Sequence, residues 1–422
     1  MRAVSPGREG AGAPRSAART LLRAGLLLAL RDLGPFGGRR SRAERDTAAG
    51  QRLADALGSL RGLYTKLGQH LATRVDALSD EFRAPLDALH QSAPPVPFPV
   101  IRGELERGLG SARLFAWIDP EPLGTASIAQ VHRARLRSGA DVAVKVRHPE
   151  LSPAGLERDL ARLRRALPLL RPWLSPRDGR ALLQELGRAL VRELDFELEG
   201  RTAEQIATAF ASDSRVLVPR VHWEVTSTSV LTLDYVPRVR LDDPAALAAR
   251  GVSPEACLAI VVDAYGRQVF GDGLFHADPH VGNLYLLDDP DRPPRVLFLD
   301  FGLAERLAPE VREELRLGLQ AVIPGREREA RAALESALAA GASNALGAGV
   351  AAIQSLKQLG KQLVRESRAF RIPRDLLLWA RTLAYVYNLG ERIAPGADPM
   401  RLFLPHLLRF ITTAPADAKA SA

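Results

Sequence analysis

Lysine, cysteine and long apolar runs are all scarce in this 422-residue chain. The one cysteine, Cys257, excludes an intrachain disulfide and a zinc site built from several thiolates, and it favours a reducing compartment. No segment reaches the ~18 consecutive apolar residues of a membrane-spanning helix. The longest candidate, residues 20–30, is interrupted by Arg23. The sequence therefore predicts a cytoplasmic protein, at most peripheral at a membrane, with no spanning helix.

Aromatic residues are also few, at 5%, whereas the net charge is +9. This charge favours anionic partners: nucleotides, nucleic acid or acidic lipid. Nucleic acid is disfavoured because aromatic side chains are not interleaved with the arginines. Residues 1–45 hold ten arginines and three acids, which predicts a mobile basic arm that binds anionic membrane lipid. Residues 413–422 are small and polar, and residues 409–422 are predicted to be a disordered tail.

Arginine supplies nearly all of the positive charge, because only five of the 58 basic residues are lysine. Lysine differs from arginine in being a compact, three-donor charge that fits against a phosphate or a single carboxylate. Two of these lysines, Lys66 and Lys145, lie in motif-like settings. We therefore treat both as candidate functional residues.

The hydrophobic pattern changes along the chain from helical to strand-like and back. The resulting predictions are helices over 46–92, 100–112, 154–171 and 177–210, strands within 123–146 and 216–240, and a largely helical region to 408 with one β-like segment at 283–303. This order predicts an α+β protein with two lobes. The expected parts are a helical extension over 46–115, an N-lobe over 116–240 and a helical C-lobe over 241–408.

Lys145 lies in a run where valines alternate with other residues, which is typical of a strand with one buried face. Val142, Val144 and Val146 would share that face, and Lys145 would point the other way. A strand lysine that contacts the α- and β-phosphates of a nucleotide is a standard part of kinase sites. The alternative is a surface lysine at a sheet edge, which the scarcity of lysine disfavours.

The densest chemistry lies in residues 276–283 (His-Ala-Asp-Pro-His-Val-Gly-Asn) and 300–302 (Asp-Phe-Gly). Apolar runs and a Pro-rich turn between these segments predict a hairpin, which would bring Asn283 close to Asp300. An amide oxygen and a carboxylate are hard ligands that suit a phosphate-bridging Mg²⁺. The spacing of Asp278 and Asn283, followed by Asp-Phe-Gly, matches the catalytic and metal loops of kinases. We expect Asp278 to be catalytic, and Asn283 and Asp300 to bind the metal of Mg-ATP.

Two other interpretations of the 276–283 segment stay open. His276, Asp278 and His280 form an H-x-D-x-H pattern typical of transition-metal sites, although Pro279 disfavours a regular helix there. A turn capped by aspartates would need no function. Residues 193–199 carry four acids predicted to lie on one helix, where one would orient a phosphate-binding lysine and others would form a solvated face.

Together these residues resemble the UbiB/AarF family of atypical kinase-like proteins, to which the ADCK proteins of mitochondria and plastids belong. The similarity covers residues 55–395. Lys66-Leu-Gly-Gln69 resembles the K-x-G-Q signature of the family, and Glu193-Leu-Asp195 resembles its E-x-D motif. The family's alanine-rich nucleotide loop, which here starts with glycine, is matched by Gly124, Thr125, Ala126, Ser127 and Val131.

The resemblance implies a two-lobed, protein-kinase-like fold with a helical N-terminal extension laid over the active site. Glu193 would pair with Lys66, and Glu199 would pair with Lys145 beside the nucleotide. The extension, with Lys66 and Gln69, would block protein substrates and favour ATP hydrolysis or small, lipid-like substrates. The family is associated with ubiquinone and other isoprenoid lipids, which implies a prenyl-lipid or quinone precursor as partner.

We therefore expect an atypical kinase or ATPase that binds ATP and Mg²⁺ and supports ubiquinone or other isoprenoid-lipid metabolism. The alternative is a nucleotide-gated scaffold of a lipid-biosynthetic complex that performs no turnover. The presence of Asp278 favours the enzyme, because a scaffold needs no catalytic carboxylate.

Overall fold

The computed structural model describes residues 41–60, 63–72, 79–87, 95–166, 176–289, 291–321 and 374–413. The chain divides into two compact units. The N-terminal unit contains the residues up to Glu197 together with Trp223–Thr232, and the C-terminal unit contains Leu198–His222 and the residues from Leu233 onward. Residues 1–40 of the predicted basic arm and residues 414–422 of the predicted tail lie outside the described residues. The predicted bounds of 45 for the arm and 409 for the tail are wrong, because the helices Arg42–Leu60 and Pro399–Thr412 extend across them. No helix in the described ranges is long and apolar enough to cross a bilayer.

The N-terminal unit begins with helices α1 Arg42–Leu60, α2 Leu63–Ala72, α3 Asp80–Asp87 and α4 Phe98–Leu109. A capping box starts α1: the Ser41 hydroxyl accepts a hydrogen bond from the Glu44 N–H at 3.3 Å, and Glu44 Oε2 accepts one from the Ser41 N–H at 2.8 Å. Gly50 allows α1 to pack closely on α3, since a Cβ there would lie 2.1 Å from the Phe82 carbonyl oxygen. The helical prediction for 46–92 is confirmed wherever these residues are described.

A four-stranded sheet follows, with strand order β1-β2-β3-β5. Its strands are β1 Phe115–Thr125, β2 Ala129–Leu136, β3 Asp141–Arg147 and β5 Val230–Asp234. Val142, Val144 and Val146 are buried in one hydrophobic core with Ile101 and Leu105 of α4. The alternating valines therefore mark the core face of β3, as the pattern predicts.

The first strand of this sheet begins earlier than its sequence pattern indicates. The β texture predicted a strand only from Leu123, whereas β1 starts at Phe115. Pro120 and Pro122 hide the pattern, and the pairing with β2 is irregular between Ile118 and Pro122. Prolines are tolerated here because β1 is an edge strand, which has neighbours on one side only.

The acidic segment is divided between two helices, contrary to prediction. Helix α5 spans Pro153–Ala166, α6 spans Pro176–Glu193 and α7 spans Phe196–Ala209, so one helix over 177–210 is wrong. Asp195 lies at the break, where its Oδ1 accepts a hydrogen bond from the Glu197 N–H at 3.1 Å. Aspartate favours such helix starts over helix interiors, which explains why the chain interrupts the helix at this residue.

The C-terminal unit contains a sheet of β4 Val216–Leu217, β6 Arg238–Arg240, β8 Leu284–Leu287 and β9 Val296–Phe298, in the order β4-β9-β8-β6. A two-stranded sheet pairs β7 Leu274–His276 with β10 Ala304–Arg306. Around them lie α8 Pro244–Ala248, α9 Pro254–Gly266, α10 Pro309–Ala321, α11 Arg374–Ile393 and α12 Pro399–Thr412. The sequence does not predict β7, because three residues are too few to establish a period.

Helix α9 is largely buried, with eight buried residues between Cys257 and Gly266. It continues into a π-helix, Arg267–Asp272, a form that is often associated with functional sites. Gly266 ends α9 where α12 approaches, since a Cβ there would lie 2.4 Å from the His406 ring. The close approach of α12 at Gly266 therefore fixes the start of the π-helix, which leads into β7 and then the 276–283 segment.

Cys257 should be unreactive in the folded protein. Its side chain is fully buried in α9, and burial raises the pKa of the thiol to about 11. Because the thiolate is the reactive form, a disulfide reagent at pH 8 should titrate no thiol in native buffer and one equivalent in denaturant. Absorbance of the released thiolate, followed beside circular dichroism, measures this, with Cys257→Ser as the blank. Rapid labelling in native buffer would contradict the buried placement.

Candidate functional site

Three of the predicted nucleotide-binding residues lie in one row across the N-terminal sheet. Gly124 of β1 is paired with Val131 of β2, and Val131 is paired with Lys145 of β3. The turn after Thr125 is closed by a hydrogen bond from the Ala126 N–H to the Ala129 carbonyl at 2.8 Å. Within the described part of the chain, and apart from its own neighbours in sequence, no atom lies within 4 Å of where a Gly124 Cβ would stand, so this end of the row is open. The turn that contains Ala126 and Ser127 therefore follows directly after the β1 end of the row that ends in Lys145.

Lys145 points away from the hydrophobic core and is half-buried. Its Nζ atom lies 5.2 Å from the centre of the Phe196 ring, within the range of a cation–π contact. Phe196 is fully buried at the start of α7, which restricts where the ammonium group can move. The lysine is thus held by its strand and by an aromatic ring of the same unit.

The ion pair that the resemblance implies between Lys66 and Glu193 is present. Lys66 Nζ of α2 contacts Oε1 of Glu193, the last residue of α6, and the two side chains are only 18% and 22% exposed. On the same helix, the Tyr64 hydroxyl lies 3.5 Å from Asp159 Oδ1 of α5. Gln69 lies on α2, three residues after Lys66. The extension is therefore tied to the helical part of its own unit by partly buried polar contacts.

Asp278 and Asn283 are joined directly in the C-terminal unit. The Asn283 side-chain amide donates to Asp278 Oδ2 at 3.2 Å and to the Asp278 carbonyl at 3.1 Å. Backbone hydrogen bonds from the His280 N–H to the Asp278 carbonyl and from the Asn283 N–H to the His280 carbonyl, both 2.8 Å, close the segment into tight turns. These hydrogen bonds orient the Asp278 carboxylate. They use only the nitrogen of the Asn283 side-chain amide and not its oxygen.

The predicted hairpin between Asn283 and Asp300 is confirmed. Strands β8 and β9 are antiparallel, with Leu284 opposite Phe298, and the Leu299 N–H donates to the Asn283 carbonyl at 2.9 Å. Asp300 follows with φ of 60°, and among the described residues it is the one non-glycine with positive φ. A non-glycine residue in this region is strained, and such strain concentrates at functional sites.

A buried hydrogen-bond chain holds the Asp300 backbone. The Asp300 carbonyl can only accept, so His276 Nε2, 2.6 Å away, carries the proton. His276 Nδ1 lies 3.1 Å from the Tyr265 hydroxyl, and the backbone N–H of His276 donates to Gln268 Oε1 at 2.9 Å. Burial, with a contribution from the charge of Asp278, raises the pKa of Tyr265 well above its ordinary value, so the hydroxyl remains a donor.

Glu199 lies beside Asp300 in the C-terminal unit. A Cβ on Gly302 would stand 3.4 Å from Asp300 Oδ1 and 3.5 Å from Glu199 Oε2, so both carboxylates border the space that this glycine leaves open. Glu199 is only 3% exposed. The pairing of Glu199 with Lys145 that the resemblance implies stays a prediction.

The oxygen atoms near Asp300 fit Mg²⁺. A carboxylate and an amide oxygen are hard ligands, and Mg²⁺ in nucleotide sites needs only one or two carboxylates besides phosphates and water. The rival H-x-D-x-H transition-metal site is wrong, because both ring nitrogens of His276 are engaged in hydrogen bonds. No group of three or more His, Cys, Asp or Glu side chains within the described ranges could hold a metal ion.

Several residues of this arrangement carry no recognisable sequence signal. Tyr265 and Gln268 lie in an apolar helical stretch, Phe196 follows the acidic motif, and Arg381 of α11 reaches to 3.8 Å from Asp278 Oδ1. Each is placed by tertiary packing. For Tyr265, a hydroxyl on an otherwise apolar helix was the one available clue.

The fold and the order of these loops define a protein-kinase-like protein of mixed helices and sheets. A family model for the ABC1 atypical kinase-like domain matches residues 88–334, more than half of the chain, so the chain belongs to the ABC1 atypical kinase-like family. The predicted family and fold class are thereby confirmed.

Curated relatives and one solved structure agree with this assignment. The chain is 33% identical to AarF domain-containing protein kinase 1 of Xenopus tropicalis, covering 62% of this chain and 50% of the relative. It is also 33% identical to the probable protein kinase UbiB of Marinobacter nauticus, covering 64% and 50%. The chain therefore spans about half the length of these relatives. A structure of Rv3197 with erythromycin from Mycobacterium tuberculosis shares the fold, with TM-score 0.51, 24% identity and coverage of 88% and 98%.

Proposed function

We propose that this chain is a Mg²⁺-dependent, ATP-binding atypical kinase or ATPase. The observation that carries the proposal is the β8–β9 hairpin, which sets Asn283 and Asp300 at the open end of one strand pair. In kinases the residues of this order bind the metal that bridges the phosphates. Asn283 also orients Asp278 through its amide, so one residue connects the metal ligands to the catalytic carboxylate.

Each residue has a chemical task in this proposal. Lys145 holds the α- and β-phosphates, and Gly124 at the open end of its row lets the nucleotide approach the backbone. Asp300 and the Asn283 amide oxygen hold Mg²⁺, which when bound neutralises charge on the phosphate oxygens. Asp278 accepts the proton of the attacking hydroxyl or water. The hydrogen-bond chain from Tyr265 through His276 keeps Asp300 in its strained conformation.

The acceptor and the biological role belong to the same proposal. The resemblance to the UbiB/AarF family supports a role in ubiquinone or other isoprenoid-lipid metabolism, with a prenyl-lipid or quinone precursor as the phosphoryl acceptor or as an activator of ATP hydrolysis. The ten arginines of residues 1–45 support peripheral contact with anionic lipid.

Phosphate release and transfer of labelled phosphate by the purified protein test this function. Both are measured with Mg-ATP, with and without anionic liposomes and a prenylated quinone precursor. We expect turnover that requires Mg²⁺ and is lost in Asp278→Asn, while that variant still binds Mg-ATP. Binding without turnover under every condition would establish the nucleotide-gated scaffold instead.

Lys66→Ala should change the reaction as well as the stability of the fold. The Lys66–Glu193 pair is mostly buried, so its loss leaves a carboxylate without its cation and should cost about 1–3 kcal/mol. If the extension covers the site, its release should alter ATP affinity and expose labelled-phosphate incorporation into the protein itself.

A double-mutant cycle with Glu193→Ala measures this coupling, with chemical denaturation and the two phosphate assays as readouts. The matched control is the exposed pair Arg102 and Glu106 on α4, whose coupling should stay below about 1 kcal/mol. Equal behaviour of wild type, Lys66→Ala and the double variant in both assays would refute the covering role of the extension.

A further inference from the structure

Arg381 lies beside Asp278 without a hydrogen bond to it. Its Nη2 atom is 3.8 Å from Asp278 Oδ1, beyond the ~3.2 Å limit of an ordinary N–H···O bond. The other carboxylate oxygen, Oδ2, accepts from Asn283 at 3.2 Å. Asp278 is therefore oriented by Asn283, and Arg381 brings a positive charge to the opposite oxygen without using its donors on it.

The guanidinium of Arg381 is nevertheless held in place. Its central carbon lies 4.8 Å from the ring centre of Tyr385, one turn later on α11, and the side chain is only 16% exposed. Its Nε atom is buried and has no hydrogen-bond partner among the described residues. Five other described arginines also have a buried Nε without a hydrogen-bond partner in these ranges, so the feature that distinguishes Arg381 is its fixed place beside Asp278.

An anion beside Asp278 would lie within reach of the Nη2 end of this guanidinium. The guanidinium is planar and presents its N–H groups as a fork that matches two oxygens of a phosphoryl group. The loop over residues 277–283 contains no lysine or arginine of its own. Negative charge that gathers next to Asp278 during phosphoryl transfer therefore needs a cation from outside the loop, and Arg381 is fixed where it can supply one.

We infer that Arg381 binds the phosphoryl group that is transferred next to Asp278. This inference rests on the proposed function and deepens it by assigning a residue to the acceptor side of the site. Hydrogen bonds aimed at charge that develops in the transition state are commonly worth about 10²–10³-fold in kcat. Arg381 should therefore affect kcat far more than the affinity for ATP.

Three variants separate this role from a structural one. Arg381→Gln removes the charge, and Arg381→Lys keeps the charge but loses the fork. Arg392→Gln removes an exposed charge from the same helix, since the Arg392 side chain is mostly exposed and its Nη2 atom lies 3.5 Å from Asp242 Oδ2. Melting temperatures are measured without ligand, with Mg-ADP, and with Mg-ADP plus aluminium fluoride, which imitates a phosphoryl group in transfer. ATP turnover gives kcat and KM.

The expected result is that wild type and Arg392→Gln gain stability from Mg-ADP and gain more from aluminium fluoride. Arg381→Gln should keep the first gain and lose the second, with kcat about 10²–10³-fold lower and KM for ATP changed less than about threefold. Arg381→Lys should keep the Mg-ADP gain and recover part of kcat. If Arg381→Gln fails to fold, this lysine variant decides alone, and wild-type kcat in it would overturn the inference.

The remaining outcomes are distinguishable from failure of the proposed function. A wild type that Mg-ADP does not stabilise would refute the nucleotide-binding function, and the inference with it. A wild type that responds to Mg-ADP but not to aluminium fluoride would overturn the inference alone. So would an Arg381→Gln variant that keeps both gains, or one that loses both.

Discussion

Asp300→Asn should abolish the rise in melting temperature that Mg-ATP produces and lower ATP turnover at least about 10³-fold. The substitution exchanges a charged metal ligand for a neutral one of the same shape, and metal stabilisation of transferred charge is worth several kcal/mol. The free protein should keep its stability, because asparagine also tolerates the positive φ of 60° that Asp300 adopts. Scanning fluorimetry with Mg-ATP, with ATP in chelator, and without ligand measures the melting shift and the stability of the free protein. Phosphate release from Mg-ATP measures turnover.

The control for Asp300→Asn is Asp288→Asn at the opposite end of the same hairpin. Asp288 forms an ion pair with Arg250 at 2.7 Å on the surface. Replacing its carboxylate by an amide should reduce the free energy of unfolding by less than about 1 kcal/mol and leave the response to Mg-ATP unchanged. An Asp300→Asn protein that shifts its melting temperature normally with Mg-ATP would show that Asp300 does not bind the metal.

Lys145→Arg should reduce kcat/KM for ATP about 100-fold even though the charge is kept. The ammonium group occupies a place bounded by β3 and the buried Phe196 ring, 5.2 Å from its centre. A guanidinium is larger, and its donors point in fixed directions, so it cannot take the same position against a phosphate. Steady-state kinetics should show the lower kcat/KM, and the rise in melting temperature with Mg-ATP should be smaller in this variant.

The same sheet offers a matched control in Arg135→Lys. Arg135 forms an exposed ion pair with Asp141 at 2.7 Å. Replacing its guanidinium by an ammonium group should leave kcat and KM unchanged. Lys145→Arg with the kinetic constants of the wild type would mean that Lys145 does not contact phosphate, and the scarcity of lysine in this chain would need another explanation.

Features that depend on local pattern were predictable from the sequence. The alternation of Val142, Val144 and Val146 places Lys145 on the face of β3 opposite the core, and the structure agrees. Two apolar runs around a Pro-rich turn are enough to predict the β8–β9 hairpin. In both cases the period of the strand determines which side chains share a face.

Features that depend on packing between distant segments were not predictable. The contact of Arg381 with Asp278 depends on where α11 packs, and the chain from Tyr265 through His276 depends on the junction of α9 and its π-helix. The break at Asp195 was predictable in principle, since aspartate caps helices, but the apolar period runs across it and dominates the pattern. Local sequence contains no record of such long-range neighbours.

The β8–β9 hairpin also determines where the chain can change its length. Register at the open end, where Leu284 faces Phe298, sets the separation of Asn283 and Asp300. The turn that connects Leu287 to Val296 lies at the other end. Extra residues in that turn would lengthen a surface connection and cost little closure entropy. The turn is therefore suited to an inserted tag or fluorophore, whereas a single residue inserted between Leu284 and Leu287 would shift the ladder.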